Sequence, residues 1–245
     1  MIRIESVHNE KIKQYTKLKE KKQRDQQRQF LVEGEHLIQE ALKAGLVDVL
    51  LHVDAHPFSY EGMSISVTQQ VMDKLSQCVS QVPYIAVCHF MEERKTDGNR
   101  VLLLCDVQDP GNVGTMIRTA LSFGFDQVIV SPQCADIYNE KVIRATQGAL
   151  FHVPVKKQLL QEAIPQLQEH GFQVYGTAFE QAVPLKQIAG STKMAFVMGN
   201  EGQGVHKEVL ALCDQRVFIE MRHFDSLNVA IAAAILMYEH QGEVR

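Results

Sequence analysis

The stretch DVQDPGNVGTMIRTALSFG, Asp106 to Gly124, decides how the chain is read. It follows a solid apolar run, VLLLC (101–105), and supplies a Pro-Gly turn, Asn112, Gly114 and Arg118 around the start of a helix expected over 113–123. A glycine-bearing turn from strand to helix is a frequent phosphate cradle, because free backbone N–H groups point out of the helix N-terminus. The dinucleotide pattern needs G-x-G-x-x-G, whereas Gly111 and Gly114 stand alone, and the P-loop pattern G-x-x-x-x-G-K-S/T occurs nowhere. The loop is therefore expected to serve a chemistry other than phosphate cradling.

On both sides of this stretch, apolar runs alternate with amphipathic segments. After it come QVIVSP, a helix near 140–147, FHVPV, a helix over 157–170, FQVYGTAF, KMAFVMG, a helix over 206–213, RVFIEM and a final helix over 226–241. Solid β-branched strands separated by helices indicate an α/β domain with a doubly wound, mainly parallel sheet. In such sheets ligands bind beyond the carboxyl ends of the strands. Three unusual loops fall there: the opening stretch, MGNEGQGV (198–205) and IEMRHFDSLN (219–228).

Before it, the sequence reads as a helix over about 9–25, strand QFLVEG, helix EHLIQEALKAG, strand VDVLLHV, helix TQQVMDKLSQC and strand YIAVCHF. These make a small α/β domain over 1–90. The charged, non-periodic MEERKTDGN supplies a linker over 91–99, and the second domain then runs over 100–245.

The net charge of −4 conceals a division, since residues 1–30 carry +5 and the remainder −9. A basic head on an acidic body suggests contact with a polyanion, with Lys17, Lys21, Lys22, Arg24 and Arg28 as candidates; a solvated helix face is the plainer reading. No apolar run is long enough to span a membrane, and the opening residues lack a signal-peptide core, so a cytoplasmic location is expected. Five scattered cysteines without a C-x-x-C pair read as buried hydrophobes rather than a zinc site or a disulfide frame. His52 and His56 have an i, i+4 spacing, but on a strand running into a turn this does not converge on a metal, so no metal is expected.

In MGNEGQGV, three glycines in six residues permit positive φ and close approach of a flat ligand. In the third loop, Asp225 or Ser226 is expected to cap a helix opening at Leu227 and Asn228; capping leaves Asn228 itself unexplained. The three segments NVGTMIRTA, MGNEGQGV and IEM…SLNVAIAAAI, in this order, resemble the signature motifs of the SpoU family, the RNA ribose 2'-O-methyltransferases of the SPOUT class. KVIRATQGALFHVPV is similar to a further family segment. RQFLVEGEHLIQEAL resembles the ribosomal-protein-like substrate-binding domain that precedes the methyltransferase in the ribosomal-RNA branch. Two departures lie in the third motif: Glu220 replaces the usual proline, and the loop from Met221 to Ser226 is about one residue short and lacks the common glycine.

The resemblance implies a C-terminal trefoil knot, which pattern reasoning alone excludes because knots are so rare. It also implies a homodimer through the methyltransferase domain, compatible with LNVAIAAAILMY, which is apolar nearly all round. It implies S-adenosylmethionine as methyl donor and a ribose 2'-hydroxyl of RNA, most readily ribosomal RNA, as acceptor. Family matching places Arg118 at the acceptor. A guanidinium is always protonated, so it serves better as a phosphate clamp and alkoxide stabiliser than as a base. Asn112 is expected to orient Arg118 or the ribose, Glu201 to anchor Arg118 or itself act as base, and Ser226 and Asn228 to position the acceptor. Cofactor contacts are expected mainly from backbone at Thr177, Gly199, Ile219, Met221 and Leu227. A non-catalytic RNA-binding or ribosome-assembly protein retaining the fold is the competing reading.

Overall fold

The computed structural model describes residues 2–58, 60–94, 97–188, 190–223 and 226–241. The chain forms two compact units, one of Met1–Glu92 together with Asp136–Phe151, the other of Glu93–Ala135 and His152–Arg245.

The first unit carries β1 (Ile2–Ile4), α1 (Glu10–Lys17), α2 (Lys21–Gln27), β2 (Gln29–Glu33), α3 (Glu35–Lys43), β3 (Val47–Val53), β4 (Met63–Val67), α4 (Gln69–Leu75) and β5 (Tyr84–His89). Its five-stranded mixed sheet runs β1-β4-β3-β5-β2. The basic segment read as one helix is two, and the break has a physical cause. Ile12, Tyr15 and Leu18 face the core with Leu51, Ile65 and Leu75. The chain then turns so that Arg24, on α2, donates from Nη1 back to the carbonyls of Leu18 and Lys19, which the end of α1 leaves unpaired. Two strands of this unit escaped the sequence reading. β1 is three residues long with only Ile4 buried, too short to show a period, whereas β4 (MSISV) does alternate apolar and serine positions as a strand should, over only five residues that the sequence reading passed by.

The segment 136–151, which includes α6 (Glu140–Thr146), packs within this first unit. Tyr138 stacks on Phe90 at 3.9 Å and lies 4.7 Å from Phe30, which also stacks on Phe151.

The second unit is built on β6 (Arg100–Leu104), α5 (Pro110–Ser122), β7 (Gln127–Val130), β8 (Val155–Lys157), α7 (Leu160–Glu169), β9 (Gln173–Thr177), β10 (Val183–Pro184), β11 (Met194–Met198), α8 (Lys207–Leu210), β12 (Gln215–Phe218) and α9 (Val229–Glu239). Its seven strands are all parallel, in the order β10-β12-β9-β11-β6-β7-β8. Alternation sends Val101, Leu103, Ile129, Ala195 and Val197 to one face under α7 and α8. Leu102, Leu104, Val128 and Phe196 are equally buried on the other. There α5 and α9 pack together, and His240, just past α9, stacks on Phe196. Both faces are covered, as the continuous apolar strands require.

Three boundaries differ from the sequence reading. α5 starts at Pro110 rather than at 113 and so takes in Asn112, because Asp109 caps it by accepting from the Asn112 amide at 2.8 Å and Pro110 takes the first helical position. β12 stops at Phe218, so Ile219 to Met221 are loop. α9 begins at Val229 with Asn228 as its cap. Ser226 therefore caps nothing there, and Asp225 lies outside the described residues.

Candidate active site at the carboxyl ends of the strands

A cleft of about 290 Å³ opens where β9, β11 and β12 end and α9 begins. Its inner wall is apolar, with Leu185, Val217 and Leu236 buried against the sheet. Thr177, Gly199, Ile219, Met221 and Leu227, the five positions expected to meet a cofactor, all line it, as do Glu201, Ser226 and Asn228. Glu220 is exposed and does not line the cleft, so the residue that replaces the usual proline turns its side chain away.

The glycine-rich loop has a defined shape. Asn200 and Gly204 exchange backbone hydrogen bonds at 3.0 and 2.9 Å, and the Asn200 side chain accepts from the amides of Gly202 and Gln203. Its Nδ2 donates to the Asp106 carbonyl at 2.8 Å, fastening the loop to the end of β6. Gly204 sits at φ +69°, and a Cβ on Gly199 would lie 2.2 Å from the Gly204 carbonyl carbon. Both glycines are required by the turn itself.

Glu201, at the tip of this loop, accepts from Asn112 Nδ2 at 2.9 Å and from the amides of Gln108 and Asp109. Asn228 Nδ2 donates to Asn112 Oδ1 at 3.0 Å, while Asn228 Oδ1 accepts from Ala230 and Ile231 at the start of α9. The result is a directed chain, Asn228 to Asn112 to Glu201, joining the three motif segments. Partial burial pushes the Glu201 carboxyl up, but the hydrogen bonds from Asn112 and the backbone amides outweigh it and hold the group below the ordinary carboxylate range. A carboxylate so engaged is an anchor for α5 and a poor proton acceptor.

The expected partnership of Arg118 with Asn112 or Glu201 is absent. Six residues along α5 place Arg118 about 120° around the helix and about 9 Å further on from Asn112. Its side chain is exposed and has no hydrogen-bond or ion-pair partner among the described residues. It does not line the cleft of a single chain.

The basic residues of the first unit also divide. Lys17, Lys21, Lys22 and Arg28 are exposed, Arg28 lying over the Phe90 ring at 4.7 Å. Arg24 is not available to RNA: it is 4% exposed and pairs with Asp136 at 2.6 Å in addition to its two backbone bonds. Its charge was legible in the sequence; its partner, 112 residues away, was not. Among the described residues no cluster of three or more His, Cys, Asp or Glu suits a metal ion, and no helix is long and apolar enough to cross a membrane.

Residues 99–238 match the model of the SpoU rRNA Methylase family. The chain belongs to this family. Residues 9–81 match the MRM3-like substrate binding domain. The chain is 39% identical to 23S rRNA (guanosine(2553)-2'-O)-methyltransferase RlmP of Bacillus subtilis, over 99% of this chain and 100% of the relative. Among solved structures, an AdoMet-bound rRNA methyltransferase from Sinorhizobium meliloti superposes with a TM-score of 0.85 at 26% identity, covering 97% of this chain and 96% of the other. An RNA 2'-O ribose methyltransferase superposes with a TM-score of 0.82 at 28% identity, covering 98% of each chain. The family's cofactor fits the cleft: its apolar inner wall would accept a flat adenine, and Ile219, Met221, Ser226 and Leu227 line it from loops whose backbone groups could meet the ring's polar edge.

Proposed function

We propose that this chain transfers a methyl group from S-adenosylmethionine to a ribose 2'-hydroxyl of ribosomal RNA. The observation that carries this is the Asn228–Asn112–Glu201 chain beside an apolar cleft, in a member of the SpoU family. The full-length similarity to a methyltransferase of guanosine in 23S rRNA supports a large-subunit guanosine as acceptor, and with it a cytoplasmic location.

When bound, S-adenosylmethionine supplies an electrophilic methyl group on a sulfonium, and its transfer needs no metal. Backbone groups at Thr177, Gly199, Ile219, Met221 and Leu227 hold the adenosyl moiety. Ser226, Asn228 and Asn112 fix the ribose for in-line attack, and Glu201 holds Asn112 in orientation. Arg118 clamps the neighbouring phosphate and stabilises the oxyanion that develops as the 2'-hydroxyl, attacking the methyl group, gives up its proton to solvent water.

Arg118 reaches a site only in an assembly. α9 buries Ala230, Ala233, Leu236 and Met237 within the chain but leaves Ile231, Ile235 and Tyr238 exposed, and Leu227 just before it and Leu121 of α5 are also exposed. Arg118 is on the same solvent side of α5 as Leu121, one turn away. A second copy seated on this stripe makes the homodimer and brings Arg118 to the acceptor. The C-terminal stretch beyond β11, which returns as α9 beside α5, forms the trefoil knot of this class. The segments 1–90 and 100–245 act as RNA-selecting and methyl-transferring domains, and Lys17, Lys21, Lys22 and Arg28 meet RNA phosphates.

Mapping 2'-O-methyl sites in ribosomal RNA from cells with and without the gene is expected to show one guanosine losing its methyl group. The purified protein should restore it with S-adenosylmethionine alone. An unchanged methylation map, with RNA binding intact, would favour the non-catalytic reading.

A further inference from the structure

The cleft has an aromatic rim that the methyl-transfer chemistry leaves unexplained. Phe179, two residues beyond the end of β9, is 61% exposed although it lines the cleft. Its loop is braced. Ala178 N donates to the Val217 carbonyl at 3.1 Å, and Arg216 Nη1 donates to the Glu180 carbonyl and to Gln181 Oε1 at 3.4 Å. Gln181 takes a left-handed φ of +54°, which a non-glycine residue rarely adopts and which fixes the turn behind the ring. Phe218, at the end of β12, lies 6.3 Å from Phe179 and continues the aromatic surface inward. An isolated exposed apolar side chain is ordinary. A phenylalanine held in water by a braced loop, at the mouth of a cleft whose lining also carries Asn228 and Glu201, calls for a ligand.

We propose that Phe179 is the platform on which the base of the acceptor nucleotide stacks. The inference rests on the methyltransferase reading and adds how the RNA is engaged. The inner wall of Leu185, Val217 and Leu236 is buried and serves the cofactor, whereas the Phe179 ring faces solution. What lies on it arrives from outside. To bring a ribose 2'-hydroxyl into the cleft, the acceptor nucleotide leaves its stack, and an unstacked base finds its replacement surface on an aromatic ring. Every base has a π face, so Phe179 contributes affinity and placement rather than base identity.

The test uses the full chain and an in vitro transcript of large-subunit ribosomal RNA. Methylation by the wild-type protein comes first, and its failure would count against the methyltransferase reading itself. Phe179→Ala is then expected to raise the KM for RNA by about fivefold to a hundredfold, the range base–aromatic stacking supports. Calorimetric affinity for S-adenosylmethionine, thermal midpoint and oligomeric state should stay unchanged. Phe179→Trp and Phe179→Tyr should retain wild-type KM, and Phe179→Leu, apolar without a π face, should behave like alanine. An unchanged KM in Phe179→Ala, or full function in Phe179→Leu, overturns the proposal. So does loss of cofactor affinity or of the oligomer, which would assign the ring to the cofactor pocket or to an interface.

Discussion

Arg24 and Lys21 lie three residues apart on one short basic helix, yet their surroundings give them unrelated tasks. Arg24 is 4% exposed and its partner Asp136 is 15% exposed, so removing either leaves a charge buried without compensation. Arg24→Ala is expected to cost about 3 kcal/mol of stability, measured by denaturant unfolding. Neutralising Lys17, Lys21, Lys22 and Arg28 together should leave stability unchanged while flattening the dependence of RNA affinity on salt. The log–log slope should fall by about 0.7–0.9 for each RNA phosphate that these side chains no longer neutralise. Glu201 adds a pH signature. Its folded pKa lies below the unfolded value of 4.5, so its contribution is fully present above that value and disappears as pH falls through the folded pKa. Glu201→Gln keeps one side-chain acceptor where three donors converge. It should lower stability at pH 7 by about 1 kcal/mol, and much less at pH 3. Stability measured across pH 3–7 for both proteins checks this.

Among the elements, the loop from Gly199 to Val205 and helix α9 carry the sharpest consequences. Gly199→Ala places a Cβ 2.2 Å from the Gly204 carbonyl carbon and 2.3 Å from the Val205 amide, both backbone atoms that cannot step aside. The loop must open, and affinity for S-adenosylmethionine should fall at least about tenfold by calorimetry, in line with the cost of overpacking a tight site. The exposed stripe on α9 makes a separate prediction. Ile231 is 52% exposed, so Ile231→Glu should be tolerated within the chain but should oppose a second copy seated there. Sedimentation is expected to show a monomer, and methyl transfer should drop with it because Arg118 does not reach the cleft of its own chain. A variant that stays dimeric and active would remove α9 from the interface.

For the whole molecule, the packing of Asp136–Phe151 within the first unit decides what a truncation does. Deleting residues 1–92 removes Phe30 and Phe90 from around Tyr138 and Phe151, and Arg24 from Asp136. The remainder retains all three motif loops but exposes an aromatic segment, so it should melt at least several degrees lower than the full chain and aggregate more readily. The sequence by itself determined the α/β class, the parallel sheet and the three loops at strand ends. Continuous apolar runs, glycine turns and motif order are local or ordered along the chain, and they survive without coordinates. It also marked every residue of the Asn228–Asn112–Glu201 chain, though not the bonds among them. Tertiary structure decided the rest. Whether a basic residue meets solvent or a buried aspartate depends on a partner 112 residues distant. Whether Glu201 holds Arg118 or Asn112 depends on which side of α5 faces the loop. That β1 is a strand at all depends on β4 supplying backbone hydrogen bonds to a segment of three residues, too short to show a period. Charge, apolarity and turn chemistry are written in single residues, whereas burial, pairing and facing arise only when distant stretches of chain meet.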